Sequence, residues 1–109
     1  MQEEVSKEKI LSFLEELKPS LQKEGIKKIG LFGSYAKGKV EESSDIDVVI
    51  VADKEIFKKR KRAYETAEFF NQIRENISSK FNKEVDLCSI FSKENLNKTK
   101  DFLQGAIYV

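Results

Sequence analysis

Residues 44–51, Ser-Asp-Ile-Asp-Val-Val-Ile-Val, constrain the fold more than any other segment. The β-branched run predicts a buried strand, and the alternation of side chains along a strand puts Asp45 and Asp47 on one face. Their Cα atoms then lie about 6.6–6.8 Å apart, near enough for both carboxylates to bind one divalent ion. Two ionised carboxylates on an otherwise apolar strand repel each other and lose hydration, so the pattern favours a bound cation. Taken alone, the pair also fits a strand end that faces solvent.

The residue types in the chain favour magnesium over zinc at such a site. The chain has no histidine and a single cysteine, Cys88, so the usual nitrogen and sulfur ligands of zinc are missing. Magnesium prefers oxygen ligands and is usually held by one or two carboxylates together with water and substrate phosphates. Asp86 lies in a second strand-like run, residues 83–88, and supplies a third carboxylate. It can act as a general base or as a ligand of a second ion roughly 3.5–4 Å from the first.

A glycine-serine turn precedes the aspartates. Residues 26–32 form a short apolar-rich run that predicts a strand, with Gly33 and Ser34 at its exit. Glycine lets the main chain approach an anion, the serine hydroxyl can donate a hydrogen bond, and the start of a following helix favours negative charge. A phosphate site next to a carboxylate strand predicts metal-assisted phosphoryl or nucleotidyl transfer.

The two motifs together resemble the signature of a known family. Residues 33–38, Gly-Ser-Tyr-Ala-Lys-Gly, followed by Ser-Asp-Ile-Asp at 44–47, are similar to the G-S-x-A-R-G and S-D-x-D motifs of the minimal nucleotidyltransferases, which belong to the DNA polymerase β superfamily. This resemblance implies an α/β (α+β) nucleotidyltransferase domain over residues 1–109, with a small mixed β-sheet packed against helices. It also implies ATP or another NTP as substrate and one or two Mg²⁺ ions. The implied nucleotide-binding residues are Gly33, Ser34, Lys37 and Ser44, and the implied catalytic and metal-binding residues are Asp45, Asp47 and Asp86.

The family also implies an acceptor. Many such small proteins are antitoxins paired with a HEPN-domain ribonuclease toxin, and some transfer AMP from ATP to a tyrosine of that partner. The resemblance therefore implies a type VII-like antitoxin that transfers a nucleotide monophosphate to a hydroxyl of a partner protein. One departure is Lys37, where the family usually has arginine, because lysine keeps the charge but loses the bidentate fork.

Three alternatives stay open. The chain can be an antitoxin that neutralises its partner by binding alone, or a small-molecule enzyme similar to the aminoglycoside nucleotidyltransferases, although those generally carry an additional helical domain. Residues 33–39 also match most of the P-loop pattern G-x-x-x-x-G-K-[ST]. That pattern fails at Val40, where a hydroxyl is needed, and residues 40–44 are typical of a loop instead of a helix.

Composition limits the class of protein. With 109 residues, 39% of them hydrophobic, the chain can form a single core, and we expect one domain. A lone cysteine excludes an internal disulfide and suits the cytoplasm, and no apolar run approaches the roughly 20 residues that cross a membrane. The net charge of +1 gives no overall field that would attract nucleic acid. The charge therefore favours a protein or small-molecule acceptor over DNA or RNA.

Apolar periodicity predicts two main helices. The first begins near Ser6, and Pro19 is expected to end or kink it. The second covers about residues 54–80, with Asp53 and Glu55 at its start and a buried stripe that includes Ala67, Phe70, Ile73 and Ile77.

Smaller features are less constrained. Ser92 is expected to cap a helix that ends near Leu103, while Ile107 and Tyr108 form an edge strand or dock beside it. Tyr35 either stacks on a nucleotide or packs against the turn. The basic run at 58–62 is either a solvated helix face or a contact for an acidic partner.

Overall fold

The sheet forms the centre of the fold. The computed structural model describes residues 5–38, 45–60, 63–92 and 105–109. Within these ranges the strands make one four-stranded sheet in the order β3-β2-β1-β4. In chain order the elements are α1 (Lys7–Lys23), β1 (Ile26–Phe32), α2 (Gly33–Lys37), β2 (Ile46–Asp53), α3 (Lys54–Arg60), α4 (Ala63–Phe81), β3 (Val85–Ser92) and β4 (Ile107–Tyr108).

The sheet is mixed, as predicted. Strand β1 pairs antiparallel with both β2 and β4, whereas β2 and β3 run parallel. Strand β2 begins one residue after Asp45 and extends two residues beyond the predicted 44–51 run. Of the two alternatives for the C-terminal segment, the edge strand is correct. Ile107 pairs with Leu31, and Tyr108 pairs with Gly30.

The two faces of the sheet differ in what covers them. One face, called here the helix-packed face, carries the alternate residues of β1 and β2 that join the core. The opposite face carries Asp47, and we call it the carboxylate face. Buried residues of α1 and α4 pack against the helix-packed face. The helix residues are Ile10, Leu14, Leu21, Ile73 and Ile77, and the sheet residues in the same core are Ile29, Leu31, Ile46, Val48 and Ile50.

Helix α1 begins where the sequence predicts. The Ser6 side chain accepts a hydrogen bond from the backbone N–H of Lys9 at 3.2 Å and caps the helix. Pro19 does not end the helix, which continues to Lys23, so that half of the expectation is wrong. Pro19 lies on the exposed side, where a backbone group that lacks its helical partner can bind water. Leu14 and Leu21, on either side of it, are buried and hold the helix on the sheet.

The predicted helix over 54–80 is described as two helices, α3 and α4, on either side of residues 61–62, which lie outside the described residues. Asp53 caps α3, since its Oδ1 accepts hydrogen bonds from the N–H groups of Glu55 at 2.9 Å and Ile56 at 3.2 Å. The stripe is correct for Ile73 and Ile77, which are buried. It is wrong for Ala67, which is exposed because it lines an open groove.

The helix expected between Ser92 and Leu103 falls mostly on residues 93–104, outside the described residues, and Ser92 itself ends β3. Among the helices that the structure describes, none combines the length and the apolar character needed to cross a membrane.

Replacement of Ile77 by alanine tests the packing of α4 on the sheet. Ile77 is fully buried, so Ile77→Ala should lower the free energy of unfolding by about 2–5 kcal/mol. Glu68→Ala, at an exposed position of the same helix, should change it by less than about 0.5 kcal/mol. Urea denaturation of the three proteins measures both changes, and equal midpoints for all three would contradict the packing described here.

Candidate active site

Three carboxylates meet at one end of the sheet. Asp45 immediately precedes β2, Asp47 is the second residue of β2, and Asp86 is the second residue of β3. Because β2 and β3 are parallel and Asp47 pairs with Asp86, the two side chains are neighbours on the carboxylate face. Asp45 and Asp86 are exposed, whereas Asp47 is partly buried. The sequence predicts that Asp45 and Asp47 share a face, and the strand pairing adds Asp86.

The carboxylates affect one another's charge. Loss of hydration, followed by the negative charges of Asp86 and Asp45, raises the pKa of Asp47 above its ordinary value. The metal-free site therefore holds charge at an energetic cost, and a cation would relieve it.

Strand β1 brings the glycine-serine turn to the same end of the sheet. Its last residue, Phe32, pairs with Asp47, so α2 begins beside that aspartate. Gly33 has a φ of +73°, a left-handed conformation that L side chains rarely adopt. A Cβ at Gly33 would collide with Oδ2 of Asp47 and would lie 3.0 Å from its Cγ. Glycine is therefore required here both by the backbone conformation and by the closeness of the Asp47 carboxylate.

The other expected nucleotide-binding residues lie at varying distances from this junction. Ser34 is the second residue of α2 and is partly buried. Lys37 is exposed in the last turn of α2, and a Cβ on Gly105 would lie 4.0 Å from its Cε, which puts Lys37 beside the C-terminal segment. Ser44 lies outside the described residues. The structure thus joins Gly33 to Asp47 and puts Ser34 next to them.

The donor set fits magnesium. Within the described ranges, no three histidine, cysteine, aspartate or glutamate side chains are arranged so that they could hold a metal ion by themselves. Magnesium does not require such an arrangement, because it usually takes one or two carboxylates and fills its remaining positions with water and substrate phosphates. Asp45, Asp47 and Asp86 offer hard oxygen donors, and the pKa of Asp47 is raised first by loss of hydration and then by the two neighbouring carboxylates, whose charge a divalent ion would neutralise.

The short helix α2 also separates this site from a P-loop. In a P-loop the second glycine and the lysine open a helix. Gly38 instead closes α2, with a φ of +75° and its N–H donated to the carbonyls of Ser34 and Tyr35. Val40 lies outside the described residues.

Tyr35 packs in the core and does not stack on a nucleotide. Its side chain is 1% exposed, and its hydroxyl has no hydrogen-bond partner among the described residues. The alternative in which Tyr35 lies beside a base is therefore wrong, because the helix directs the ring inward.

Sequence reasoning missed the contact between Tyr108 and Gly30 on the carboxylate face. A Cβ on Gly30 would lie 2.9 Å from Cδ1 of Tyr108, so the ring lies over this glycine, and Nζ of Lys28 is 5.5 Å from the ring centroid. Burial, together with Cys88, raises the pKa of Tyr108. A glycine inside the predicted strand was the available signal, because such a glycine often marks the close approach of another group.

Two aspartates of β2 give opposite predictions for stability. The pKa of Asp47 is raised in the folded protein, so above that pKa its ionised form destabilises the fold. Asp47→Asn should therefore raise Tm near neutral pH in EDTA. The gain should shrink as the pH falls through the raised pKa toward the unfolded value of about 3.9.

Asp53→Asn is the matched control on the same strand. The backbone N–H of Ile56 is the main cause that lowers the pKa of Asp53, with Glu55 N–H and Lys27 contributing. Its ionised form therefore stabilises the fold above the unfolded pKa, and this stabilisation is lost as the pH falls through the lowered pKa. Asp53→Asn should lower Tm at neutral pH. Circular dichroism melting curves at several pH values would contradict the electrostatic account if both variants shifted Tm in the same direction.

Alanine substitutions at Gly33 and Gly38 distinguish the cost of backbone strain from the cost of a steric clash with Asp47. Both have left-handed φ angles, but a Cβ on Gly38 would meet nothing within 4 Å. Gly38→Ala should therefore cost only the backbone strain, about 1–2 kcal/mol. Gly33→Ala should cost more, and Asp47→Ala in the same chain should remove the excess. A double-mutant cycle measured by urea denaturation tests this, and equal costs at the two glycines would show that Asp47 does not approach Gly33.

Comparisons with known proteins identify the family of the chain. A family model described as a nucleotidyltransferase domain matches residues 7–109. Two proteins of Methanocaldococcus jannaschii, each provisionally named a protein adenylyltransferase, are similar to the chain. One is 68% identical over 28 residues, which span 26% of this chain and 28% of that protein. The other is 32% identical over 84 residues, which span 77% of each.

One solved structure shows the same fold, and a second is similar to part of the chain. A provisional nucleotidyltransferase from Sulfolobus solfataricus matches with a TM-score of 0.51 and 19% identity, covering 94% of this chain and 80% of that one. A toxin-antitoxin structure with AMP-PNP matches with a TM-score of 0.48 and 24% identity, covering 78% of this chain and 57% of that one. From the family match and the 32% identical relative, the chain belongs to the nucleotidyltransferase domain family.

Proposed function

We propose that the chain is a magnesium-dependent nucleotidyltransferase that transfers AMP from ATP to a hydroxyl group of a partner protein. Membership of the nucleotidyltransferase family supports the reaction class. The provisional name of the 32% identical relative, protein adenylyltransferase, supports both the nucleotide and the type of acceptor. We further propose that residues 1–109 act as one domain, which the family match over residues 7–109 supports.

The observation that carries the proposal is the junction of Gly33 with Asp47. This junction puts the start of α2 against a partly buried carboxylate whose neighbours are Asp45 and Asp86. A triphosphate bound along the turn would therefore have its reacting phosphorus beside the carboxylates. A strand end with a purely structural role does not require three neighbouring carboxylates. Here loss of hydration, followed by the charges of Asp86 and Asp45, raises the pKa of Asp47.

Each residue then has a defined task in the reaction. Gly33 leaves room for the phosphates, and the Ser34 hydroxyl donates a hydrogen bond to a phosphate oxygen. The acceptor oxygen attacks the α-phosphorus of ATP, a new P–O bond forms, and the bond from the α-phosphorus to the bridging oxygen breaks as pyrophosphate leaves. Asp86, exposed on β3, takes the proton of the acceptor hydroxyl and releases it to water.

Asp45 and Asp47 would hold magnesium, and Asp86, which pairs with Asp47 across β2 and β3, would lie beside them. When bound, the ion neutralises phosphate charge and steadies the entering and leaving oxygens. Lys37, in the exposed last turn of α2, supplies a positive charge for the triphosphate in place of the arginine that is usual in the similar family.

The resemblance to the minimal nucleotidyltransferases favours a HEPN ribonuclease toxin as the acceptor, with a tyrosine hydroxyl as the modified group. The chain would then be an antitoxin that acts by AMP transfer, in the cytoplasm where ATP is available. The exposure of Asp45 and Asp86 supports a macromolecular acceptor, because a protein side chain can reach them from solvent.

Label transfer tests the reaction. Wild-type chain, α-labelled ATP and magnesium are incubated with a lysate of the source cells, and the products are resolved by gel and mass spectrometry. We expect one labelled acceptor protein, with the label lost in Asp47→Asn by at least about a hundredfold, since a proposed ligand of the magnesium ion is removed. Asp53→Asn, on the same strand but outside the carboxylate cluster, should retain transfer.

The result separates catalysis from binding alone. A label that persists in Asp47→Asn would contradict the proposed site. If no NTP gives a labelled product while a partner protein still co-purifies with the chain and with Asp47→Asn, neutralisation by binding alone replaces the proposal. A labelled small molecule in place of a labelled protein would favour the aminoglycoside-like alternative.

A further inference from the structure

An apolar groove lies on the other side of the sheet from the carboxylates. Its volume is about 570 Å³, and it lies between α3, α4 and the edge strand β3. The lining residues are Lys54, Phe57, Lys58, Thr66, Ala67, Phe70, Ser89 and Phe91. We propose that this groove is a docking site for an amphipathic helical segment of the acceptor protein, with apolar anchors and flanking carboxylates.

The floor of the groove is aromatic. The ring centroids of Phe57, Phe70 and Phe91 lie 5.6–5.8 Å from one another. Phe57 is 3% exposed, but Phe91 remains 44% exposed on the edge strand. A large exposed aromatic side chain beside an open apolar groove on a sheet edge is typical of a surface that another chain covers.

The sequence pattern of α4 indicates the same surface. Ala67 and Phe70 belong to the apolar stripe that predicts burial, and Ile73 and Ile77 of that stripe are buried against the sheet. Ala67 is instead exposed, and Phe70 is partly buried. The stripe therefore extends past the part of the helix that the sheet covers and into the groove, where a partner helix can complete the packing.

Charge indicates the type of partner. Among the described residues that line the groove, the charged ones are Lys54 and Lys58, and none is a carboxylate. The chain as a whole has 20 basic and 19 acidic residues, so this sign is a local property. The sequence continues with basic residues through Arg62. A helix with leucine or phenylalanine at positions i, i+3, i+4 and i+7, flanked by glutamate, matches both the apolar floor and the basic rim.

Docking here would leave the candidate active site free. Ser89 and Phe91 follow Asp86 by three and five residues along β3, which corresponds to roughly 10–17 Å. They also lie on the helix-packed face, because Phe91 pairs with Ala52, whereas Asp86 pairs with Asp47 on the carboxylate face. One acceptor protein can therefore be held at the groove while a different part of it presents its hydroxyl. The groove itself is independent of the proposed function, and only the identity of its occupant rests on that proposal.

Labelled peptides test the chemistry of the groove. The probe is a fluorescent amphipathic helical peptide with leucine and phenylalanine anchors flanked by glutamate, and its twin carries lysine at every glutamate position. Fluorescence anisotropy at low salt should give about tenfold tighter binding of the acidic peptide. Lys54→Glu with Lys58→Glu should reverse this preference. Lys9→Glu with Lys18→Glu on α1, which changes the net charge equally, should not.

Phe91→Ser gives a second variant that removes an apolar anchor without changing charge. It should weaken the acidic peptide about tenfold with little change in Tm, since the ring is already partly exposed. Hydrogen exchange should show protection by the peptide in α3, in the first half of α4 and in β3. Equal binding of both peptides, or protection confined to other elements, would overturn the docking site. A wild-type dimer that Phe91→Ser abolishes would assign the groove to a second copy of the chain.

Label transfer also tests whether the acceptor protein occupies the groove, and it does so separately from the test of AMP transfer itself. The Lys54→Glu, Lys58→Glu variant should raise the KM for the protein acceptor about tenfold with kcat unchanged, because neither lysine belongs to the active site. Asp47→Asn should bind the acidic peptide as the wild type does while transferring no label. If transfer is absent in all variants but the peptide preference holds, the proposed function fails and the groove remains. If the KM is unchanged while the peptide preference reverses, the acceptor is not the occupant.

Discussion

The crowding of negative charge around Asp47 is the constraint on which the rest of the site depends. Asp47 lies on a central strand, partly buried, between the charges of Asp86 and Asp45. Ionisation of such a group costs free energy. The pairing of β2 with β3 and β1 fixes the position of Asp47 in the sheet. The same aspartate also lies against Gly33, so the glycine-serine turn and the carboxylates are in direct contact. A bound cation and a triphosphate would relieve the repulsion at the place where it arises.

The topology explains why these groups meet. Strands β2 and β3 are parallel, so their first residues lie at the same end of the sheet. Strand β1 is antiparallel to β2, so its last residue lies at that same end, where α2 begins. The helices pack on the opposite face and leave Asp45 and Asp86 open to solvent. The division of the sheet into a helix-packed face and a carboxylate face therefore lets one small sheet combine a dry core with a charged site. It also separates the aromatic groove from the chemistry.

Local patterns in the sequence predicted what depends on local geometry. The capping residue Ser6 marks the start of α1, and alternation predicts the face of β2 that carries Asp47, whereas Asp45 immediately precedes that strand. The approach of Asp86 to Asp47 depends on the register between two strands distant in sequence, which no local pattern reveals. The sequence alone does not show that α1 continues past Pro19, because this depends on the burial of Leu14 and Leu21, which outweighs a single lost hydrogen bond. Ala67 was misjudged because the stripe shows which side of a helix is apolar but not how much of it the sheet covers. The roles of Gly33, Ser34, Lys37 and the three aspartates remain predictions, and Ser44 lies outside the described residues.

The central claim is that Asp47 joins the carboxylate cluster to the nucleotide. Equilibrium binding of an ATP analogue that cannot be cleaved between the α- and β-phosphates, measured by calorimetry with and without magnesium, tests it most directly. We expect magnesium to strengthen binding to the wild type and to Asp53→Asn, and to have almost no effect on Asp47→Asn. Magnesium-dependent binding of equal strength in all three proteins would show that the nucleotide and its metal are held elsewhere and would contradict the account.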